Sequence, residues 1–146
     1  LSYYKKVEEA TPEDTNVIFH IGSCLAELGQ YEEAANYFFK LDFIESNCVK
    51  AWRGIGWCSF ISRKYEQAMK YYEKIFEQKP LAIDYMNAGH VAWTMGDIQK
   101  AAALYGKSIT ANGNRERFLE MFRKDEEALL KQGIQEEDIP LMLDLL

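Results

Sequence analysis

The chain has 146 residues, of which 48% are hydrophobic and 14% aromatic, and a formal net charge of −6. This is a globular composition with enough material for a core, so a disordered chain is excluded. No apolar run approaches the roughly 18 residues of a membrane span, and an acidic balance without a Lys/Arg block argues against nucleic acid as a partner.

The chain begins at Leu1, with neither a Met nor a signal-like apolar stretch, as expected of a fragment or a processed form. The opening "YYKKVEEATPED" is a short amphipathic segment. Next comes a helix carrying Ile21-Gly22, then "YEEAANYFFKL" from Tyr31 to Leu41. The same order returns with Ile55-Gly56 and "YEQAMKYYEKI", and again with Ala88-Gly89 and "IQKAAALYGKS". The period is about 34 residues, and the unit is a pair of helices.

Gly22, Gly56 and Gly89 sit mid-helix, where glycine costs about 1 kcal/mol relative to alanine. Repeated in register, that cost implies a close approach of two helices. Ala34, Ala68 and Ala101 are the matching small residues on the second helices, and Phe38, Tyr72 and Tyr105 follow one turn later on the same face. Gly29 and Gly96 stand where a left-handed residue should end the first helix. The middle unit has Ser62-Arg63-Lys64 there, so a different turn is expected. Pro80 is expected to end the second helix of the middle unit.

Beyond Gly113 the period stops. "NRERFLEMFRKDEEALLKQG" places Phe118, Phe122 and Leu129 on one face of an expected capping helix, with Gly133 as its stop. The final "EEDIPLMLDLL" has Ile139, Met142, Leu143 and Leu146 at helical spacing. Two readings of this segment stay open: it covers the last repeat, or it is offered to a partner's groove.

The pattern resembles the tetratricopeptide repeat family. In the middle unit the likeness is carried by Trp52, Ile55-Gly56, Tyr65, Ala68, Tyr72 and Pro80. The first unit carries it through Ile21-Gly22, Gly29, Tyr31, Ala34 and Phe38, and the third through Ala88-Gly89, Gly96, Ala101 and Tyr105. The outer units depart from it: Ile18 and Tyr85 replace the tryptophan, and Ser46 and Gly113 the proline. The resemblance implies an all-α fold, a right-handed solenoid of stacked antiparallel helix pairs. Residues 15–48, 49–81 and 82–113 would be three repeats, with residues 114–146 as capping helices, all in one domain. One period before Ser46 lies Pro12, with Tyr4 matching Phe38 and Val7 matching Leu41. Residues 1–14 therefore read as the second helix of a truncated repeat, with further repeats expected before it. The uncovered half repeat is expected to self-associate.

The resemblance also assigns a concave face to the first helix of each pair. Arg53, Trp57 and Phe60 form a stripe at i, i+4, i+7 beside the core stripe of the middle unit. Phe19 and Ser23 match it in the first unit, and Met86, His90 and Trp93 in the third, with Asn87 alongside. These nine residues are the expected partner groove, aromatics and Arg being common interface anchors. The competing reading buries the tryptophans in the core. Some family members clamp an acidic C-terminus with Lys, Arg and Asn on these helices. Here the corresponding places hold Phe19, Ser23, Gly54, Ile83 and Asn87, and only Asn87 is of a suitable type. An apolar or amphipathic protein segment is the expected ligand.

His20 and His90 lie on different units without metal-ligand spacing, and no phosphate loop or GxSxG occurs. Cys24, Cys48 and Cys58 show no CxxC spacing, which points to buried thiols rather than a disulfide framework or a zinc site. Reduced thiols lean towards a cytoplasmic setting; nothing else speaks to compartment. The expectation is a non-enzymatic protein-interaction module without cofactor, membrane or nucleic acid. A chaperone for a secreted or assembling protein and a self-assembly scaffold are the alternatives.

Overall fold

The computed structural model describes residues 1–10 and 14–146; the expectation at Pro12 lies outside the described residues. Among the described residues the chain is all-helical, with ten helices: α1 (Ser2–Ala10), α2 (Thr15–Glu27), α3 (Tyr31–Ile44), α4 (Val49–Ile61), α5 (Tyr65–Phe76), α6 (Ala82–Thr94), α7 (Ile98–Asn112), α8 (Arg115–Lys124), α9 (Glu126–Lys131) and α10 (Asp138–Asp144). The helices group into two compact units, residues 1–75 and 76–146.

In the first unit, α2 packs on α3 and α3 on α4. The glycines explain how. A Cβ at Gly22 would lie 2.9 Å from the Phe38 ring, and one at Gly54 only 2.5 Å from it. One phenyl ring is thus held between the backbones of α2 and α4. Gly56 receives Tyr72 in the same way, at 2.8 Å. Phe38 and Tyr72 are almost wholly buried. Trp52 of α4 donates its indole N–H to Asp42 of α3 at 2.7 Å, and the Lys74 ammonium of α5 lies 4.6 Å from its ring centroid. α1 packs on α2. It also reaches α3, where the Tyr37 hydroxyl donates to Glu8 at 3.2 Å and Lys40 pairs with the same carboxylate at 3.7 Å.

The turns between paired helices share one geometry. Gly29 and Gly96 take φ of 80° and 89°. Arg63, at the equivalent place, takes 62° despite its side chain. In each turn the next amide reaches back across it: Gln30 to Leu25, Lys64 to Ser59, and Asp97 to Ala92, at 2.8–2.9 Å. The expectation of a different middle turn is therefore corrected; the hydrogen bonds hold Arg63 in the left-handed region that glycine enters freely. Pro80 also differs from expectation. α5 already stops at Phe76, and Pro80 sits just before α6.

In the second unit α6 packs on α7, and a Cβ at Gly89 would lie 2.6 Å from the Tyr105 ring. The Ser108 hydroxyl donates to the Ala82 carbonyl at 2.8 Å, tying α7 to the start of α6. α8 then packs on α7. The single capping helix read from residues 114–133 is two helices, broken at Asp125. There the amide of Asp125 bonds back to Phe122 rather than one residue further, and its carboxylate is drawn to His90. Phe118, Phe122 and Leu129 are still all fully buried.

Candidate functional site

The nine residues expected to line a groove fall into two groups. In the first unit Phe19, Ser23, Arg53 and Trp57 are half-buried on α2 and α4. Each aromatic rests on a buried ring. Phe19 lies 6.2 Å from Phe38, and Trp57 lies 5.5 Å from Phe60, centroid to centroid. Phe60 is wholly buried and also meets Tyr65 at 6.0 Å, so it supports the surface from beneath and does not line it. Lys50, which sequence reasoning passed over, extends its ammonium over the Phe19 ring at 5.4 Å. It stands one turn before Arg53, so a charge count along the stripe would have found it. Beside Phe19 and Lys50 is a recess of about 360 Å³, bordered by Asn16, Leu41, Asn47 and Cys48. Across Val49–Ile61 there is no carboxylate. Glu45 borders the recess as well, so the cationic character of this face is that of α4, through Lys50 and Arg53, in a chain of net charge −6.

The second unit departs from the expectation. Met86 and His90 are fully buried and Trp93 is 7% exposed. All three are core residues, and the reason is α8. Phe122 stands one period beyond Gly89, so α8 occupies the place of a fourth first helix, with a phenyl ring in the glycine position. That ring meets His90 at 5.5 Å, Tyr105 at 5.6 Å and Trp93 at 6.5 Å. The signal was present in the sequence: α6, "AIDYMNAGHVAWT", carries one charged residue, Asp84, which caps its start by accepting the Leu81 amide. A helix apolar on all sides belongs inside. Asn87 alone of this group stays half-buried, and its Oδ1 is buried without a hydrogen bond.

His90 has a chemical role that spacing did not show. Its Nδ1 lies 2.7 Å from the Tyr105 hydroxyl and its Nε2 3.0 Å from Asp125 Oδ2. Burial, and after it the charge of Asp125, raises the Tyr105 pKa well above its ordinary value, so the phenol keeps its proton. A carboxylate only accepts, so Nε2 carries the hydrogen; with the ring neutral, Nδ1 is the acceptor for the Tyr105 hydroxyl. The chain Tyr105→His90→Asp125 links α7, α6 and the α8–α9 bend. His90 and Tyr105 are fully buried and Asp125 is partly exposed, and the three tie the α8–α9 bend to α6 and α7.

Thiol chemistry is similarly muted. Burial pushes Cys58 up to about 11, and burial is also the main cause of the raised Cys48 value, so both stay protonated and are poor nucleophiles. Among the described residues no cluster of metal ligands occurs, and no helix is long and apolar enough to cross a membrane.

The profile of the tetratricopeptide repeat matches residues 15–41, 49–80 and 85–115, and the chain belongs to that family. No curated protein matches it in sequence. Solved structures share its fold. A crystal structure of MamA aligns at 21% identity and a TM-score of 0.70, covering 88% of this chain and 86% of that one. MamA 41-end from Desulfovibrio magneticus RS-1 aligns at 21% identity and 0.61, covering 91% and 85%. YrrB, described as a TPR protein with an unusual peptide-binding site, aligns at 17% identity and 0.67, covering 89% and 74%. The repeats and these neighbours support a protein-interaction module, a fold that is typically non-catalytic.

Proposed function

We propose that the α2–α4 face binds an extended or helical segment of a protein partner, seating an apolar side chain against Phe19 and Trp57. The observation that carries this reading is that both aromatics are half-exposed yet each rests on a buried ring, Phe38 or Phe60. Such anchors lose little side-chain freedom on binding, which is where affinity is usually spent. Lys50 and Arg53 beside them favour a segment that carries carboxylates as well as apolar groups. Asn87, half-buried on its own helix, is a further proposed contact. Phe60, Met86, His90 and Trp93 are left out of the proposed face because they are buried.

The test is selection of binding peptides from a displayed library, followed by titration of the wild type, Trp57→Ala and Phe19→Ala. Loss of binding by about tenfold or more with unchanged helical content is expected. Peptides that bind all three proteins equally would place the site elsewhere.

A further inference from the structure

α10 is two-faced. At 100° per residue, Ile139 and Met142 share its inner side and are buried. Leu141 and Leu145 share the outer side, each 62% exposed, and exposed Asp138 and Asp144 flank them. Arg115 holds the helix in place by donating to the Leu143 carbonyl at 3.1 Å. A helix that has already buried one apolar face has no folding reason to keep two leucines on the other.

The outer face of α10 is the chemical complement of the α2–α4 face. One offers leucines flanked by carboxylates; the other offers Phe19, with the Lys50 ammonium over its ring, and Trp57, one turn after Arg53 on α4. Each face is exposed on its own unit. We infer that α10 of one copy docks on the α2–α4 face of another. This rests on the binding reading above and names its occupant. The contact joins two different patches, so it is heterologous, and repetition makes open chains or rings rather than a closed two-fold dimer. A seven-residue helix buries little area, which makes the contact weak and concentration-dependent. Opposite charges around it make it salt-sensitive.

The experiment is sedimentation equilibrium of the full chain over a wide concentration range, at low and high salt. The mass is expected to rise with concentration and to fall back in high salt. Lys50→Glu/Arg53→Glu removes the receiving face, and Asp138→Lys/Asp144→Lys removes the docking face. Each variant alone is expected to associate about tenfold or more weakly, with circular dichroism confirming its fold. Leu141→Glu/Leu145→Glu, at exposed positions, repeats the second test without changing the aspartates. Mixing Lys50→Glu/Arg53→Glu with Leu141→Glu/Leu145→Glu supplies one intact face of each kind while the two altered faces, both acidic, repel, so a one-to-one pair that grows no further is expected. A wild type that stays monomeric, variants that associate like wild type, or a mixture that does not pair would each overturn the inference. A monomeric wild type that still binds selected peptides through Trp57 would refute the second copy and leave the binding face standing.

Discussion

Phe38 and Tyr105 stand at the same place in the first and third repeats, and what closes over each differs. Phe38 is covered by the next repeat, whose Gly54 lets α4 come down onto the ring. Tyr105 is covered by α8, whose Phe118 and Phe122 meet its ring at 5.7 and 5.6 Å. Its hydroxyl is spent on His90, and His90 on Asp125. A repeat is continued by a glycine that makes room and ended by a phenylalanine that takes the room up. The same difference separates Trp57, which keeps exposed surface on α4, from Trp93, which does not on α6.

The largest effect is expected where the end is closed. Phe122→Ala removes a fully buried ring and should cost about 3–5 kcal/mol in urea unfolding. Little change would mean that α8 is not what closes the array. Next, Gly54→Ala and Gly89→Ala should cost about 1–3 kcal/mol each by overpacking. Gly54→Ala should be the worse, because its Cβ would lie 2.5 Å from a ring that Gly22 already confines on the other side. Equal costs would weaken the distinction between the two slots.

Tyr105→Phe leaves His90 without its donor and should cost about 1–3 kcal/mol. It also sharpens the comparison through pH. The folded-state values of Tyr105, Tyr37, Tyr71, Cys48 and Cys58 are raised, chiefly by burial. A raised value means that the unfolded chain gives up its proton first. Stability should therefore be full below about pH 8 and fall as pH climbs through the thiol and phenol range. Tyr105→Phe should flatten part of that fall, and an unchanged alkaline slope would argue against it. The smallest effect is Arg63→Gly, expected to stabilise the middle turn by about 0.5–1 kcal/mol by relieving its left-handed backbone.

The repeats were legible because their spacing is a packing rule written three times: glycine, alanine and aromatic recur in register. The half-buried Phe19 and Trp57 were legible for the same reason. The burial of His90 and Trp93 could not be read from the stripe itself; its signals lay in the near-absence of charge along α6 and in Phe122, which stands where the next helix would place its glycine. The helix break at Asp125 was hidden too, since nothing local stops the helix there. The partner that draws the carboxylate, His90, lies 35 residues earlier in the chain. The role of Gly54 went unseen because it belongs to the neighbouring repeat's Phe38 ring and not to its own repeat's Tyr72.

The most direct test is to unfold Trp57→Ala and Trp93→Ala side by side in urea. Trp93→Ala should lose about 3–5 kcal/mol, the cost of emptying a core position, and Trp57→Ala clearly less, with its helical content intact. Equal losses, or a greater loss at Trp57, would contradict an array that is open for binding at its first unit and closed at its last.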